Sequence, residues 1–148
     1  MSRRTSWKRS TAGLGDTNGR ADIGLLVLRV GVAAFMLFGH GAEKLVNFSE
    51  RAISFPDPLG IGPVASLVLV VFAEFFCSLA IAFGFFTRLA TIPPIITMLV
   101  AAFAIHSADP WAKQEFALMY FLIYLGVLIA GPGKFSIDRM FFRKNGNG

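Results

Sequence analysis

The sequence predicts an all-α membrane protein, a bundle of four transmembrane helices with both termini cytoplasmic. Three observations lead there. The 148 residues are 55% hydrophobic and only 16% charged, whereas a soluble domain carries about a quarter charged residues. A mean hydropathy of +0.63 and 16 phenylalanines leave too little polar sequence to cover a core in water. The apolar residues also come in four continuous runs rather than in alternation. In lipid only helices and closed barrels satisfy their own backbone, and continuous runs select helices.

The elements follow in order. Residues 1–21 form a basic tail in which Arg3, Arg4, Lys8, Arg9 and Arg20 stand among Ser, Thr and Gly. It lacks apolar periodicity, so disorder is expected. The four-helix domain covers residues 22–133. Its first span, about 23–45, is interrupted by Arg29. A basic stretch before an apolar run also describes a signal peptide, but this run is long and no A-x-A site closes it. The second span, about 64–86, is interrupted by Glu74. The third, about 89–108, carries Pro93 and Pro94 near its start, which predicts a kink there. The fourth runs from about 115 to 130. Each must reach about 20 residues to cross the hydrocarbon.

Breakers fall between the runs. Pro56, Pro58, Gly60, Gly62 and Pro63 separate the first two spans. Thr87 and Arg88 are expected to make a tight turn between the second and third. Asp109 and Pro110 precede the fourth span, and Gly131, Pro132 and Gly133 end it. Residues 134–148 form a short tail. Ile137, Met140 and Phe141 recur there at helical spacing beside Lys and Arg, as in a helix lying on the membrane surface.

Lys and Arg set the orientation. Leaving out Arg29, ten lie on the side of the termini and three, Lys44, Arg51 and Lys113, on the other. The termini are therefore expected in the cytoplasm. Loop 46–63 and loop 109–115 are expected outside, with Trp111 in the interfacial aromatic belt. The net charge of +5 resides beside apolar spans at the two chain ends, which points to a membrane surface and not to nucleic acid. The single cysteine, Cys77, closes no intramolecular disulfide, and there is no C-x-x-C motif.

Ionisable residues inside spans are expensive and face the bundle interior. Taking Arg29 as zero on a helical wheel, Ala33, Met36, His40 and Glu43 fall within about 40° of it. The first span thus carries one polar stripe. Arg29 and Glu74 are the candidate polar core, with an estimated depth difference of roughly 8 Å. They read either as a buried pair locking two helices or as a proton-bearing or ligand-binding pair; a protonated, unpaired Glu74 is the third reading. At the outer mouth, His40, Glu43, Lys44, His106 and Glu115 form a candidate ligand site. They read as ordinary interfacial polar residues or as a site for a small polar headgroup such as a quinone ring. His40 and His106 on different helices also admit axial haem ligation, a weaker reading. Tyr120 and Tyr124 read as packing or interfacial residues. The sequence contains no metal-site, P-loop or dinucleotide-loop signature.

Five motifs occur in order. They are Arg29; Gly39-His40-Gly41 with Lys44-Leu45; Glu74; Gly84 with Thr87-Arg88; and Gly131-Pro132-Gly133-Lys134 with Ser136 and Asp138. In this arrangement the chain resembles the DoxX family from Ile23 to Asp138. The resemblance implies a prokaryotic, multi-pass protein of the inner (plasma) membrane. Some relatives are subunits of thiosulfate:quinone oxidoreductase, and others accompany redox-stress enzymes in membrane complexes. It supports fold more than reaction. Two functions stay open: a quinone-linked oxidoreductase subunit, and a non-catalytic anchor or assembly partner for a soluble redox enzyme. A small-molecule transporter is the weaker alternative, because four helices leave little room for a path in one copy. A protein partner or homo-oligomer is expected beside the lipid bilayer.

Overall fold

The structure is a computed structural model, and it describes residues 14–144. All regular elements among the described residues are helical. Four helices are long and apolar enough to cross a membrane: Gly19–Val46, Pro63–Phe83, Thr87–Ile105 and Trp111–Ala130.

The first helix starts at Leu14, so residues 14–21, expected in the tail, continue the span outward. Helix propagation costs little once a long apolar run has nucleated it, and apolar periodicity alone does not mark its polar end. The expected disorder of Arg3, Arg4, Lys8 and Arg9 lies outside the described residues. Pro63 opens the second span at a position where its missing N–H costs nothing. That span stops at Phe83 because Gly84 turns left-handed, with φ of 71°. The tight turn is therefore Gly84–Phe86, and not Thr87-Arg88. Thr87 is already the first residue of the third span. The helix Thr87–Val100 runs through both Pro93 and Pro94.

The spans pack in chain order, each on the next, and the first meets the fourth. Lipid gives helices no hydrophobic reason to associate, so close backbone packing over small residues must do it. Ala33, Ala73, Ala90, Ala102 and Ala117 are accordingly buried. Large apolar side chains point outward instead; Phe38 is 75% exposed and Ile129 71%. In water this would be prohibitive, and in lipid it costs nothing.

The start of the first span and the segment after the fourth meet at one face of the bundle, where the Lys134 amide donates to Asp22 Oδ1 at 3.0 Å. We call this the terminal face and the opposite one the loop face. Three spans contain a π-helical turn: Leu37–Gly41 and Ala101–Ile105 in the half nearer the loop face, and Phe72–Cys77 at the middle of the second span. Beyond the fourth span, Ile137–Lys144 forms a short helix that exposes Met140 and Phe141.

Candidate functional site: a cavity at the loop face

The candidate polar core divides between the two faces, and Arg29 and Glu74 do not pair. Arg29 is buried at the terminal face. Its Nη1 donates to the Pro132 carbonyl and its Nη2 to the Phe135 carbonyl, both at 2.7 Å. A Cβ on Gly84 would collide with this guanidinium. The carboxylate nearest in sequence logic was Glu74, but the segment after the fourth span folds back under the bundle. It brings carbonyls to Arg29 that no helical wheel could place. Asp138 completes the arrangement. Its Oδ1 accepts from the Phe86 amide at 2.7 Å, and its Oδ2 accepts from the Thr87 amide and hydroxyl, both at 2.8 Å. It thus caps the third span from a distant part of the chain. Phe86, held left-handed with φ of 43°, is the strained residue this cap secures. Ser136 accepts from the Arg139 amide at 3.2 Å and starts the terminal helix. The terminal face is a latch.

Glu74 belongs to the loop face. Lys44 Nζ donates to Glu74 Oε2 at 2.6 Å, with side-chain exposures of only 16% and 6%. The expected stripe placed Glu43 inward; the structure places Lys44 there. The π-turn at Leu37–Gly41 holds one residue more than an α-turn, so beyond it the inward position moves from 43 to 44. Glu43 instead faces outward and accepts from Arg51 Nε at 2.9 Å, Arg51 Nη2 at 2.7 Å and Asn47 Nδ2 at 3.0 Å. The π-turn Phe72–Cys77 presents Glu74 in turn. Where the two π-turns cross, Gly41 packs on the Glu74 backbone so closely that a Cβ would lie 2.7 Å from its carbonyl. Only glycine allows this approach.

Lys44 and Glu74 form part of the wall of a cavity of about 360 Å³ between all four spans. His40 and Met36 line it from the first span, Ser66 and Val70 from the second, Thr97 and Ala101 from the third. The fourth contributes Phe116, Ala117 and Tyr120, and loop residues Phe55, Pro56, Pro58, Leu59 and Ile61 line it from the loop side. The His40 ring meets the rings of Phe116 at 5.8 Å and Tyr120 at 5.9 Å. Among the described residues neither His40 nor the Tyr120 hydroxyl makes a hydrogen bond within the chain, so both are free to bond a guest. Deeper in, Tyr120 stacks on Tyr124, whose hydroxyl lies 3.4 Å from Ser78 Oγ.

His106 lies at the rim. Its Nδ1 is 2.7 Å from Asp109 Oδ2, which also accepts from Lys113 at 3.2 Å. The His106 contact, with Lys113 second, holds the Asp109 carboxyl below the usual carboxylate range. Glu115 is exposed on the fourth span and lies outside the cavity lining. The residue types expected at this mouth thus separate. His40, Lys44 and His106 line the cavity, while Glu43 and Glu115 do not. Tyr120, read from sequence as a packing or interfacial residue, lines it. The i, i+4, i+8 series Phe116, Tyr120 and Tyr124 was the available signal, an aromatic ladder on one helix face.

Loop 47–62 is pinned at both ends. Arg51 ties it to the first span through Glu43. Asp57 ties it to the second, where Oδ1 accepts from Ser66 Oγ at 2.8 Å and the Ile61 amide at 3.0 Å, and Oδ2 from the Gly62 amide at 2.7 Å. The Ser66 hydroxyl and these amides hold the Asp57 carboxyl below its ordinary range.

Comparison with known proteins agrees with this architecture. The sequence profile of the DoxX family matches residues 24–107. The chain is 31% identical over 127 residues to the inner membrane protein YqjF of Escherichia coli, covering 83% of this chain and 95% of that protein. It is 33% identical over 129 residues to an uncharacterized protein of Haemophilus influenzae, covering 81% and 92%. No solved structure matches the chain. With four helices able to span a membrane, a family profile across three of them and an inner-membrane relative matched nearly end to end, this chain is a multi-pass inner membrane protein and belongs to the DoxX family.

Proposed function

We propose that the protein is the quinone-binding membrane subunit of a redox complex. The observation that carries the reading is the loop-face cavity, where His40 and Tyr120 stand without intramolecular hydrogen bonds beside the Lys44–Glu74 pair, in walls that are mostly apolar with Arg51, His106 and Lys113 also among the lining. Ligand pockets have this make-up, with a few placed polar groups in a mostly apolar hollow, and about 360 Å³ suits a ring-sized headgroup. A quinone carbonyl would accept hydrogen bonds from His40 and Tyr120. Reduction to the quinol takes two electrons, supplied in this reading by a partner redox protein, and two protons. Lys44 and Glu74, already sharing a proton-bearing contact, would hold and relay them. The Lys and Arg bias supports placing the loop face outside and the termini in the cytoplasm.

Purification in mild detergent followed by solvent extraction tests the reading. Quinone should be retained by the wild type and lost from His40→Ala and Tyr120→Phe. Equal retention by all three proteins would remove the cavity from quinone binding. Glu74→Gln should abolish quinone turnover in the assembled complex while the protein still reaches the membrane; wild-type turnover would remove Glu74 from the reaction. The terminal helix, with Met140 and Phe141 exposed, favours a second reading as an anchor for a soluble redox enzyme. In that case Met140→Ser with Phe141→Ser should release the co-purifying enzyme and leave quinone retention unchanged.

A further inference from the structure

We infer that the cavity opens sideways into the bilayer, between the second and third spans, and that its ligand is a single-chain amphiphile. Its polar head would lie at His40, Lys44 and Tyr120, and its chain would pass out through the gap into lipid. The inference goes beyond the quinone reading: it rests on the cavity being a binding site but not on the identity of the head.

The gap follows from how the spans pack. The third span packs on the second chiefly from Phe72 onward, along the π-turn and the helix Ser78–Phe83. The loop-face part of the second span, Pro63–Val71, packs instead toward the end of the first span. The third and fourth spans, in contrast, stay in contact along their length, including at the π-turn Ala101–Ile105. At cavity depth two seams have few backbone contacts, the first span against the fourth and the second against the third. The His40 ring, set against Phe116 and Tyr120, fills the former, which leaves the second against the third. Leu69 and Ile96 stand on its two lips. Each lines the cavity and each is 54% exposed. A side chain that faces both a cavity and lipid marks an opening between them.

The chemistry of the two routes differs accordingly. Toward water, loop 47–62 is stapled by Glu43–Arg51 and by Asp57 to Ser66, and its apolar residues Phe55, Pro58 and Leu59 cover the cavity. Arg51, His106 and Lys113 line that side as well, so a polar solute entering there must pass among them and lift this roof. Toward lipid, the lips are Leu69, Val70, Ile96 and Val100, with no charged group among them. An alkyl or isoprenoid chain can occupy that seam without losing its apolar surroundings, while the charged pair lies at its inner end. Head and chain thus have separate, matched environments.

Thiol accessibility in proteoliposomes tests the route without any quinone. In a Cys77→Ala background, Ala117→Cys places a thiol on the far wall, on the fourth span. Phe103→Cys on the lipid surface and Ser54→Cys on the loop serve as references. N-dodecylmaleimide, confined to lipid, should label Ala117→Cys at a rate within about tenfold of Phe103→Cys. The impermeant sulfonatoethyl methanethiosulfonate should label it about a hundredfold more slowly than Ser54→Cys, since a charge must cross apolar walls. Adding Ile96→Trp should slow the alkyl reagent about tenfold and leave the aqueous rate unchanged. Aqueous labelling as fast as at Ser54→Cys, failure of the alkyl reagent to react, or indifference to Ile96→Trp would each overturn the side opening. Quinone retention is measured separately, so loss of the quinone reading and loss of the portal give different results.

Discussion

The two faces of this bundle use polar residues in opposite ways. At the terminal face, Asp138, Ser136 and both terminal nitrogens of Arg29 are engaged within the chain, and only Arg29 Nε is left without a partner among the described residues. Arg29 holds two carbonyls, and Asp138 caps the third span and secures the strained Phe86. At the loop face, Lys44 and Glu74 satisfy one another while His40 and Tyr120 face a cavity with hydrogen-bonding capacity to spare. Each face has its own obligatory glycine. A side chain on Gly84 would strike Arg29, and one on Gly41 would strike the Glu74 backbone. Two of the π-turns lie in the half of the bundle that holds the cavity, and the third, at mid-span, presents Glu74 to it. A π-turn sacrifices regular hydrogen bonding to re-aim side chains and recurs at functional sites. The contrast teaches that buried charge in a small membrane bundle serves as a closed latch at one end and as an open, poised site at the other.

The largest expected effect breaks the latch. Arg29→Met leaves two buried carbonyls without their charged donor and should cost about 3–6 kcal/mol, at roughly 1.5–3 per hydrogen bond to a charged group. Thermal melting in detergent reads it; a loss below 1 kcal/mol would contradict the latch.

Next, Glu74→Gln leaves Lys44 charged against apolar walls and should cost about 3 kcal/mol, the scale of breaking a buried pair. A double-mutant cycle sharpens the comparison. Lys44→Met with Glu74→Gln should show a coupling of about 1–3 kcal/mol, whereas Arg29→Gln with Glu74→Gln should be additive within about 0.5. Strong coupling of Arg29 to Glu74 would merge the two faces into one network.

A smaller loss is expected from Asp138→Ala, which removes the borrowed cap of the third span and should cost about 2 kcal/mol, the upper end for caps. Ligand retention at the loop face should survive it; simultaneous loss of both would mean the faces are coupled.

The smallest effect concerns the roof. The folded Asp57 carboxyl is held below its unfolded value of about 3.9, by Ser66 first and the loop amides after it. Its contribution is therefore complete above that value and is lost as pH falls through the lower folded value. The protection of the Ile61 and Gly62 amides, taken relative to their intrinsic exchange rates, should fall below about pH 4, and Asp57→Ala should lack that protection at every pH. Protection that persists in Asp57→Ala would show that the staple does not close the loop.

The sequence by itself determined the four helices, because crossing lipid demands long apolar runs and helices satisfy their own backbone. It also singled out Arg29, His40, Lys44 and Glu74, because ionisable groups inside spans are too expensive to be incidental. Only the tertiary structure decided which partner each one takes. A regular wheel extrapolates one period, and the π-turn at Leu37–Gly41 shifts that period by a residue, exchanging Glu43 for Lys44 at the cavity. No local pattern could assign Arg29 to Pro132 and Phe135, more than 100 positions away, since backbone carbonyls carry no sequence signature. The cavity and its lipid-facing seam are likewise properties of how two helices diverge.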